Sequence, residues 1–352
     1  MLENHSMLRR CFHWDYRSPR IYLITLTLAD RSFPLLGNVV VNHVPVQSPL
    51  DVVAHFEPSR LGRRIQELWR QIPQYCPQIT PLYLQLMEEH LHGILQAREY
   101  LPKPIGHVIG GFKADCTQAY RKEFGISNVS LFSPGYQDTI LFHEGQLNRM
   151  FNYVKDNPRR LAIKRLFPDL FRVMQRIPFA GGHLNGIGNL FLLQAPRFYQ
   201  IQASRRISRE ELEEKKQELL QAISARCVIV SPCLSEAEKT LARLAFEQQA
   251  PLIVLRNRGF SPYYKPPGRY FDACAAGRLL MLAPPGFGKQ PGKHLLTRME
   301  ACILNRIAQS ICGQDAVPIH YQGLVPAELD RQVTNALHVF SPTSLENQAE
   351  MV

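Results

Sequence analysis

Two histidines, His90 and His92, stand two residues apart in a segment whose composition is typical of a β-strand. Because strand side chains alternate between the two faces of a sheet, both imidazoles are expected on one face, roughly 6–7 Å apart at Cα. Leu91 between them then faces the opposite, buried side. Two imidazoles directed at one point can bind a divalent metal ion. A pair of histidines with a purely structural role would show the same spacing.

A tyrosine and an asparagine further along the chain share one edge of a predicted helix. From Glu144 the apolar residues recur with helical spacing, and Pro158 indicates the end of the helix. The apolar stripe consists of Leu147, Met150, Phe151 and Val154. Tyr153 lies about 120° from the centre of this stripe, and Asn157, four residues later, lies on nearly the same side. Tyr153 and Asn157 are therefore expected to project together, whereas a core tyrosine would more often lie inside the stripe.

In order and spacing, these residues resemble the single-tyrosine HUH transposases of insertion sequences, including their REP-associated relatives. The resemblance covers about residues 20–160 and rests on three features: a hairpin strand with His-hydrophobic-His, an amphipathic helix over residues 104–124, and a final helix with Tyr-x-x-x-Asn-Pro. It implies that His90, His92 and Asn157 bind Mg²⁺ or Mn²⁺, with Asn157 at a position where some relatives have glutamine. Tyr153 would then be the nucleophile of a transposase that acts on single-stranded or hairpin DNA.

The chemistry of phosphodiester cleavage agrees with these residue types. A metal ion acts as a Lewis acid that offsets charge on the non-bridging oxygens, and a phenol can be the nucleophile. A phenol, with an ordinary pKa of about 10, must lose its proton as it attacks or be acidified by a nearby cation. The expected products are a 5′-phosphotyrosine and a free 3′-hydroxyl, so strand transfer needs no ATP. Stronger activity with Mn²⁺ is compatible with this ligand set, since Mn²⁺ accepts nitrogen ligands better than Mg²⁺.

The elements of residues 20–160 have the order strand, helix, strand, strand, helix, strand. That order predicts an α+β domain with a ferredoxin-like split βαβ fold, here the HUH domain. Residues 79–87 and 90–97 form the predicted hairpin, residues 58–71 and 104–124 the helices, and residues 20–28, 36–41 and about 129–141 further strands. Tyr136 in the last strand is the rival nucleophile, and it is less favoured because strand tyrosines are commonly structural.

Composition favours a polyanionic partner. The 352 residues carry a formal net charge of +11, while 45% hydrophobic and 20% charged residues are ordinary for a globular chain. Basic residues concentrate just after Tyr153. Such a run is often a solvated helix face, but beside a nucleophile it is expected to bind DNA phosphates. The residues predicted to do so are Lys155, Arg159, Arg160, Lys164 and Arg165.

A smaller α/β domain is predicted at residues 208–315, where strands and helices alternate. This pattern favours a Rossmann-like, three-layer arrangement around a parallel sheet, with ligands at the carboxyl ends of the strands. Residues 231–233, 256–257 and 284–293 are expected at that edge. The glycine-rich loop before His294 lacks the Ser or Thr of a nucleotide-binding P-loop, which argues against NTP hydrolysis.

The remaining segments are predicted as an N-terminal tail (1–19), a connector (161–207) and a C-terminal tail (316–352). Within the connector, a glycine-rich turn at 181–188 is expected to precede a strand at 189–194. The eight cysteines include no C-x-x-C pair, which indicates reduced thiols. Since the sequence has no apolar run long enough to span a membrane, a soluble, cytoplasmic protein is expected.

Three functions are compatible with this sequence. The first is a DNA strand transferase that cuts and rejoins single strands through His90, His92 and Tyr153. The second is a domesticated protein that binds hairpin or single-stranded DNA with little or no cleavage. In the third, the nucleotide-binding α/β domain is the working part. The site could assemble within one chain or across a homodimer.

Overall fold

The chain divides between Leu166 and Phe167 into two compact units. The computed structural model describes residues 10–11, 13–42, 46–179, 182–261, 263–285 and 296–313. The first unit contains a four-stranded antiparallel sheet, and the second a six-stranded sheet in which four strands are parallel. The chain is therefore a two-domain protein of mixed α and β structure, as predicted. Among the described helices, none has both the length and the apolar character needed to cross a membrane.

The four-stranded sheet of the first unit is flanked by helices on both faces. The strands of this unit are β1 (Ile21–Thr27), β2 (Gly37–Val41), β3 (Ala54–Pro58), β4 (Ile79–Leu86), β5 (His90–Ala97) and β6 (Gln137–Leu141). Its helices are α1 (Arg60–Arg70), α2 (Ile72–Tyr75), α3 (Ile105–Phe124), α4 (Gln146–Lys155) and α5 (Asn157–Leu166). The sheet has the order β4-β5-β1-β6, and the predicted hairpin is formed by β4 and β5.

Alternation along β1 separates two apolar clusters. Ile24 and Leu26 belong to the main core of the unit, which also contains buried residues of α1 and α3. Leu23, which precedes Ile24 and faces the other side of the sheet, belongs to a second cluster with Ile94 of β5 and Val154 of α4. Helices α1 and α3 thus cover one face of the sheet, and α4 covers the other.

The sequence missed one strand and misplaced the start of a helix. The predicted strand at residues 36–41 is observed as β2, but it pairs with β3, which was not predicted. Pro58, expected in the first helix, is the last residue of β3. The helix begins at Arg60 because Ser59 caps it, with its Oγ accepting a hydrogen bond from the backbone N–H of Gly62 at 3.0 Å.

The last strand of the first unit is shorter than predicted. Instead of spanning residues 129–141, regular pairing is confined to β6, and an isolated bridge joins Leu28 to Phe132. Tyr136 therefore precedes the strand and does not lie within it.

The second unit alternates strands and helices after an initial hairpin. Its strands are β7 (Met174–Phe179), β8 (Gly182–Gly188), β9 (Phe198–Gln200), β10 (Val228–Ser231), β11 (Leu252–Leu255) and β12 (Leu279–Ala283). Its helices are α6 (Arg209–Ser224), α7 (Glu236–Glu247), α8 (Gly268–Ala275) and α9 (Arg298–Ile311). The strand order is β7-β8-β12-β11-β10-β9, with β9 to β12 parallel and β8 antiparallel to both of its neighbours.

Residues 161–207, which were predicted to form a connector, contain the end of α5 and three strands of the six-stranded sheet. The glycine-rich segment forms β8 and is not a turn, while the residues expected to form the next strand include the 3-10 helix Leu190–Gln194. Helix α9 was not predicted, and its Ile303 and Ile307 share an apolar core with Val230 and Leu282. The predicted C-terminal tail and most of the predicted loop at 284–293 lie outside the described residues.

Candidate metal and nucleophile site

His90 and His92 lie at the start of β5, on the side of the sheet where Ile94 packs against α4. Leu91, which alternates with them, is fully buried in the opposite core. The two imidazole centroids are 4.8 Å apart, with the ring planes at 80°. The structure thus brings both rings together on one face.

Thr25 orients the ring of His92. It stands directly opposite His92 in the register of β1 and β5. Its Oγ1 lies 2.9 Å from Nδ1 of the imidazole, within hydrogen-bond distance. With Nδ1 engaged, Nε2 is the nitrogen that remains for a ligand, and such supporting hydrogen bonds commonly fix metal-binding histidines. The sequence did not indicate Thr25, because the register between two strands cannot be predicted from the pattern of either strand alone.

Partial burial favours the neutral form of both imidazoles. It is the main cause that lowers the pKa of His92 to about 4, and the charge of His90 contributes further. Burial also lowers the pKa of His90, where Glu89 opposes the shift and Arg31 and Lys164 add to it. A neutral imidazole has the free lone pair that a metal ion requires.

Tyr153 lies on α4, at the edge of the surface that packs on the sheet. The neighbouring Val154 is fully buried against Leu23 and Ile94, which holds the helix over this face. Tyr153 itself is 37% exposed. Its ring centroid is 6.5 Å from that of His92, with the planes at 61°. The tyrosine therefore reaches the histidine pair and is still open to solvent.

Asn157 lies in a different helix from Tyr153. The single helix predicted to end at Pro158 is interrupted at Asp156, so that α4 ends at Lys155 and α5 begins at Asn157. Pro158 is the second residue of α5, where its missing N–H leaves no helical hydrogen bond unmade. Within the described structure, no hydrogen bond joins Asn157 to the histidines, and its Nδ2 is buried without a hydrogen-bond partner.

The donor set near the histidines is small. Among the described residues, no group of three or more His, Cys, Asp and Glu side chains is placed to hold a metal ion. Glu88, next to the histidine strand, is already occupied by Arg165 and by the backbone N–H of Val39. A metal ion bound by His90 and His92 would need a third protein ligand of another type. The carboxamide oxygen of Asn157 is of the type that Mg²⁺ and Mn²⁺ bind, and Asn157 remains the predicted third ligand.

Arg165, one of the five residues predicted to bind DNA phosphates, forms an ion pair within the first unit. Its guanidinium donates to both carboxylate oxygens of Glu88, with Nη1 to Oε1 at 2.8 Å. The same contact lowers the pKa of Glu88 below its ordinary value. Arg165 therefore links α5 to the turn between β4 and β5, and its role in the structure is to pair with a carboxylate.

Two further arginines that were predicted to bind DNA phosphates share the carboxylate of Asp156, at the break between α4 and α5. Nε of Arg159 and Nε of Arg160 donate to its two oxygens at 2.8 and 2.9 Å. The guanidinium carbon of Arg160 also lies 5.3 Å from the ring centroid of Tyr153. Arg160 thus positions the tyrosine ring, a contact that sequence spacing alone did not indicate. Lys155 is exposed, and Lys164 is close enough to affect the pKa of His90.

Tyr136, the rival nucleophile, has a structural environment. Its ring packs against the main core, and the guanidinium carbon of Arg10 lies 3.4 Å from its centroid. Burial raises the pKa of Tyr136 to about 12, which disfavours the phenolate. Unlike Tyr153, it makes no described ring contact with His90 or His92.

No protein-family model matches the sequence. An uncharacterized protein of Haemophilus influenzae is 25% identical over 186 residues, which cover 47% of this chain and 95% of that protein. A REP-associated tyrosine transposase bound to a REP hairpin gives a TM-score of 0.29 at 10% identity, covering 44% of this chain and 75% of that one. DNA processing protein A from Helicobacter pylori, described with its single-stranded DNA binding mode, gives a TM-score of 0.31 at 14% identity, covering 47% of this chain and 77% of that one.

Proposed function

We propose that the first unit is a metal-dependent single-stranded DNA endonuclease and strand transferase of the HUH type, acting in DNA transposition. One observation carries this proposal: two neutral imidazoles on one strand face lie beside a solvent-accessible tyrosine, with 6.5 Å between the ring centroids of His92 and Tyr153. A core tyrosine would not need this exposure. A purely structural histidine pair would not need Nε2 of His92 to stay available, as it does while Thr25 binds Nδ1 of the same ring.

The chemistry assigns one role to each residue. His90, His92 and Asn157 would hold Mg²⁺ or Mn²⁺, which supplies a Lewis acid for the non-bridging oxygens of the scissile phosphate. Tyr153 loses its phenolic proton as its oxygen bonds to phosphorus, and the bond from phosphorus to the 3′ oxygen breaks. The products are a 5′-phosphotyrosine and a free 3′-hydroxyl. Attack by a 3′-hydroxyl on the phosphotyrosine reverses the exchange and joins the strands.

The arrangement of the first unit supports the HUH interpretation. Its sheet order β6-β1-β5-β4, with α1 and α3 on one face, matches that of a ferredoxin-like split βαβ. The histidines lie on a central strand, and the tyrosine lies on a helix over the opposite face from α1 and α3. The net charge of +11 supports single-stranded or hairpin DNA as the partner.

The test is a covalent trapping experiment. Purified protein is incubated with a single-stranded hairpin oligonucleotide labelled on the 5′-phosphate side of the cut, with Mn²⁺ or with EDTA. A labelled adduct that survives denaturing electrophoresis is expected only with the metal ion. Tyr153→Phe should abolish the adduct but retain DNA binding, because only the hydroxyl is lost.

Tyr136→Phe is the matched control and should leave adduct formation intact. An adduct that persists in Tyr153→Phe and disappears in Tyr136→Phe would show that the nucleophile has been assigned to the wrong tyrosine.

A DNA-binding protein with little or no cleavage is the second candidate. It is favoured by the small donor set at the histidines and by the carboxylate partners of Arg159, Arg160 and Arg165. In that case the protein would bind the hairpin equally well with Mn²⁺ or EDTA and form no adduct. The trapping experiment therefore separates the two functions.

A further inference from the structure

A cavity of about 500 Å³ opens at the carboxyl edge of the parallel strands in the second unit. The segments that follow β10 and β11 contribute Pro232, Cys233 and Arg256 to its lining, and α7 and α8 contribute further residues. Ligands of parallel α/β sheets commonly bind at this edge. The volume is within the range of roughly 300–1,000 Å³ found for small-molecule sites.

Positive charge dominates this cavity. Five of its lining residues are Lys or Arg, and none of the described lining residues is acidic. Lys239 has a partner in Glu236 at 2.6 Å. The other four form no salt bridge with any described residue. They are Arg243, Arg256, Arg258 and Arg269.

Arg256 is the best-positioned of these cations. It directly follows β11, and its backbone N–H donates to the carbonyl of Leu282 at 2.8 Å, so the start of the side chain is fixed. Its guanidinium carbon lies 4.9 Å from the ring centroid of Phe260 and 4.4 Å from that of Tyr264. Nη1 is buried with no hydrogen-bond partner among the described residues. A buried guanidinium N–H without an acceptor is costly, and a bound anion would provide one.

Aromatic rings complete the lining. Tyr270 is 37% exposed, and its ring lies edge-on to Phe246 with 5.6 Å between the centroids. The guanidinium carbon of Arg269 lies 5.2 Å from the Phe246 centroid. Aromatic and guanidinium planes are the surfaces on which nucleobases stack.

We infer that this cavity is a binding site for a phosphorylated nucleoside, separate from the site at Tyr153. Its arginines supply the planar N–H donors that recognise phosphate oxygens in pairs, and Tyr270 offers a face for the base. The terminal phosphate and base could belong to a free nucleotide or to the end of a DNA strand. Both sources present the same chemistry to the same residues.

The experiment is a calorimetric titration of the full chain carrying Tyr153→Phe, in EDTA. These conditions prevent an adduct and remove metal ions, so the outcome does not depend on the function proposed for the first unit. AMP is the probe, with adenosine and inorganic phosphate as partial ligands. A decathymidylate with a 5′-phosphate, compared with the same strand ending in 5′-hydroxyl, tests a DNA end as the source.

Binding of AMP that is weakened about 10- to 100-fold by Arg256→Met is expected, since a charge-assisted hydrogen bond is lost. Arg209→Met, an equal loss of charge at the exposed start of α6, is the matched control and should leave affinity unchanged. If Arg256→Met does not fold, Arg269→Gln at the exposed side of the cavity provides the same comparison. Arg256-dependent preference for the 5′-phosphorylated strand, without AMP binding, would assign the phosphate to DNA. Two results would overturn the inference. One is absence of binding by all probes, and the other is binding that Arg256→Met and Arg269→Gln both leave unchanged.

Discussion

At the scale of single residues, Thr25 decides which nitrogen of His92 can accept a ligand. The threonine hydroxyl lies 2.9 Å from Nδ1 and thereby leaves Nε2 as the ligand atom. Without this hydrogen bond the ring could rotate or change tautomer. A residue that touches no metal can thus control metal affinity.

Thr25→Val is expected to weaken Mn²⁺ binding by about 10- to 100-fold, because valine keeps the shape of the side chain but cannot form the hydrogen bond. Affinity would be measured by titration of Mn²⁺ followed by its paramagnetic effect on water relaxation. Thr139→Val, the same change at an exposed position of β6, should have no effect. Equal affinities in all three proteins would contradict the role of Thr25.

The partly buried histidines should also make the stability of the metal-free protein depend on pH. Since burial lowers the pKa of His92 from 6.5 to about 4, the folded state favours the neutral ring. The contribution of neutral His92 to stability is fully present above pH 6.5 and is lost as the pH falls from 6.5 to about 4. The free energy of unfolding in EDTA should therefore decrease by about 2 kcal/mol between pH 7.5 and pH 5.

Urea denaturation at the two pH values would measure this loss. His92→Asn should make the dependence smaller, whereas His143→Asn, at an exposed position, should leave it unchanged. A dependence that persists undiminished in His92→Asn would assign it to other groups.

At the scale of elements, close packing between α1 and β5 positions the histidine strand. A Cβ atom on Gly93, the residue after His92, would lie 2.2 Å from the indole of Trp69. Glycine is thus required at this position of β5 because the Trp69 ring occupies the space of a side chain. The contact holds the strand on the main core while its opposite face carries the histidines.

Gly93→Ala is expected to destabilise the protein by about 1–3 kcal/mol, because either the strand or the indole must move. Gly110→Ala is the matched control, since its Cβ would meet no atom within 4 Å and it lies in the interior of α3. That substitution should be neutral or stabilise by up to about 1 kcal/mol. Chemical denaturation of both variants measures the difference, and equal stabilities would show that the Trp69 contact can relax freely.

Local periodicity explains which parts of the site could be predicted. The common face of His90 and His92 follows from strand alternation, and the position of Tyr153 follows from the apolar stripe of α4. Pro158 indicated that the helix ends nearby, but spacing alone did not show that a second helix, α5, begins at Asn157. The pairing of β2 with β3 and the contact of Arg165 with Glu88 join segments distant in sequence, and no local pattern records them.

At the scale of the whole molecule, each unit contains its own apolar core. The core of the first unit combines buried residues of β1, β5, α1 and α3, and the core of the second combines β10, β11, β12 and α9. Each has the elements that an independently folding domain needs. The two proposed sites use residues of one unit each, so the activities should be separable.

Fragments 1–166 and 167–352 are therefore expected to unfold cooperatively when produced separately, as followed by circular dichroism in urea. Fragment 1–166 should form the Mn²⁺-dependent DNA adduct, since it contains His90, His92, Asn157 and Tyr153, and fragment 167–352 should bind AMP without forming an adduct. Tyr153→Phe in the shorter fragment is the control for the covalent bond. If fragment 1–166 folds but forms an adduct only after fragment 167–352 is added, the cleavage site requires the second unit and the assignment of the activity to one unit is wrong.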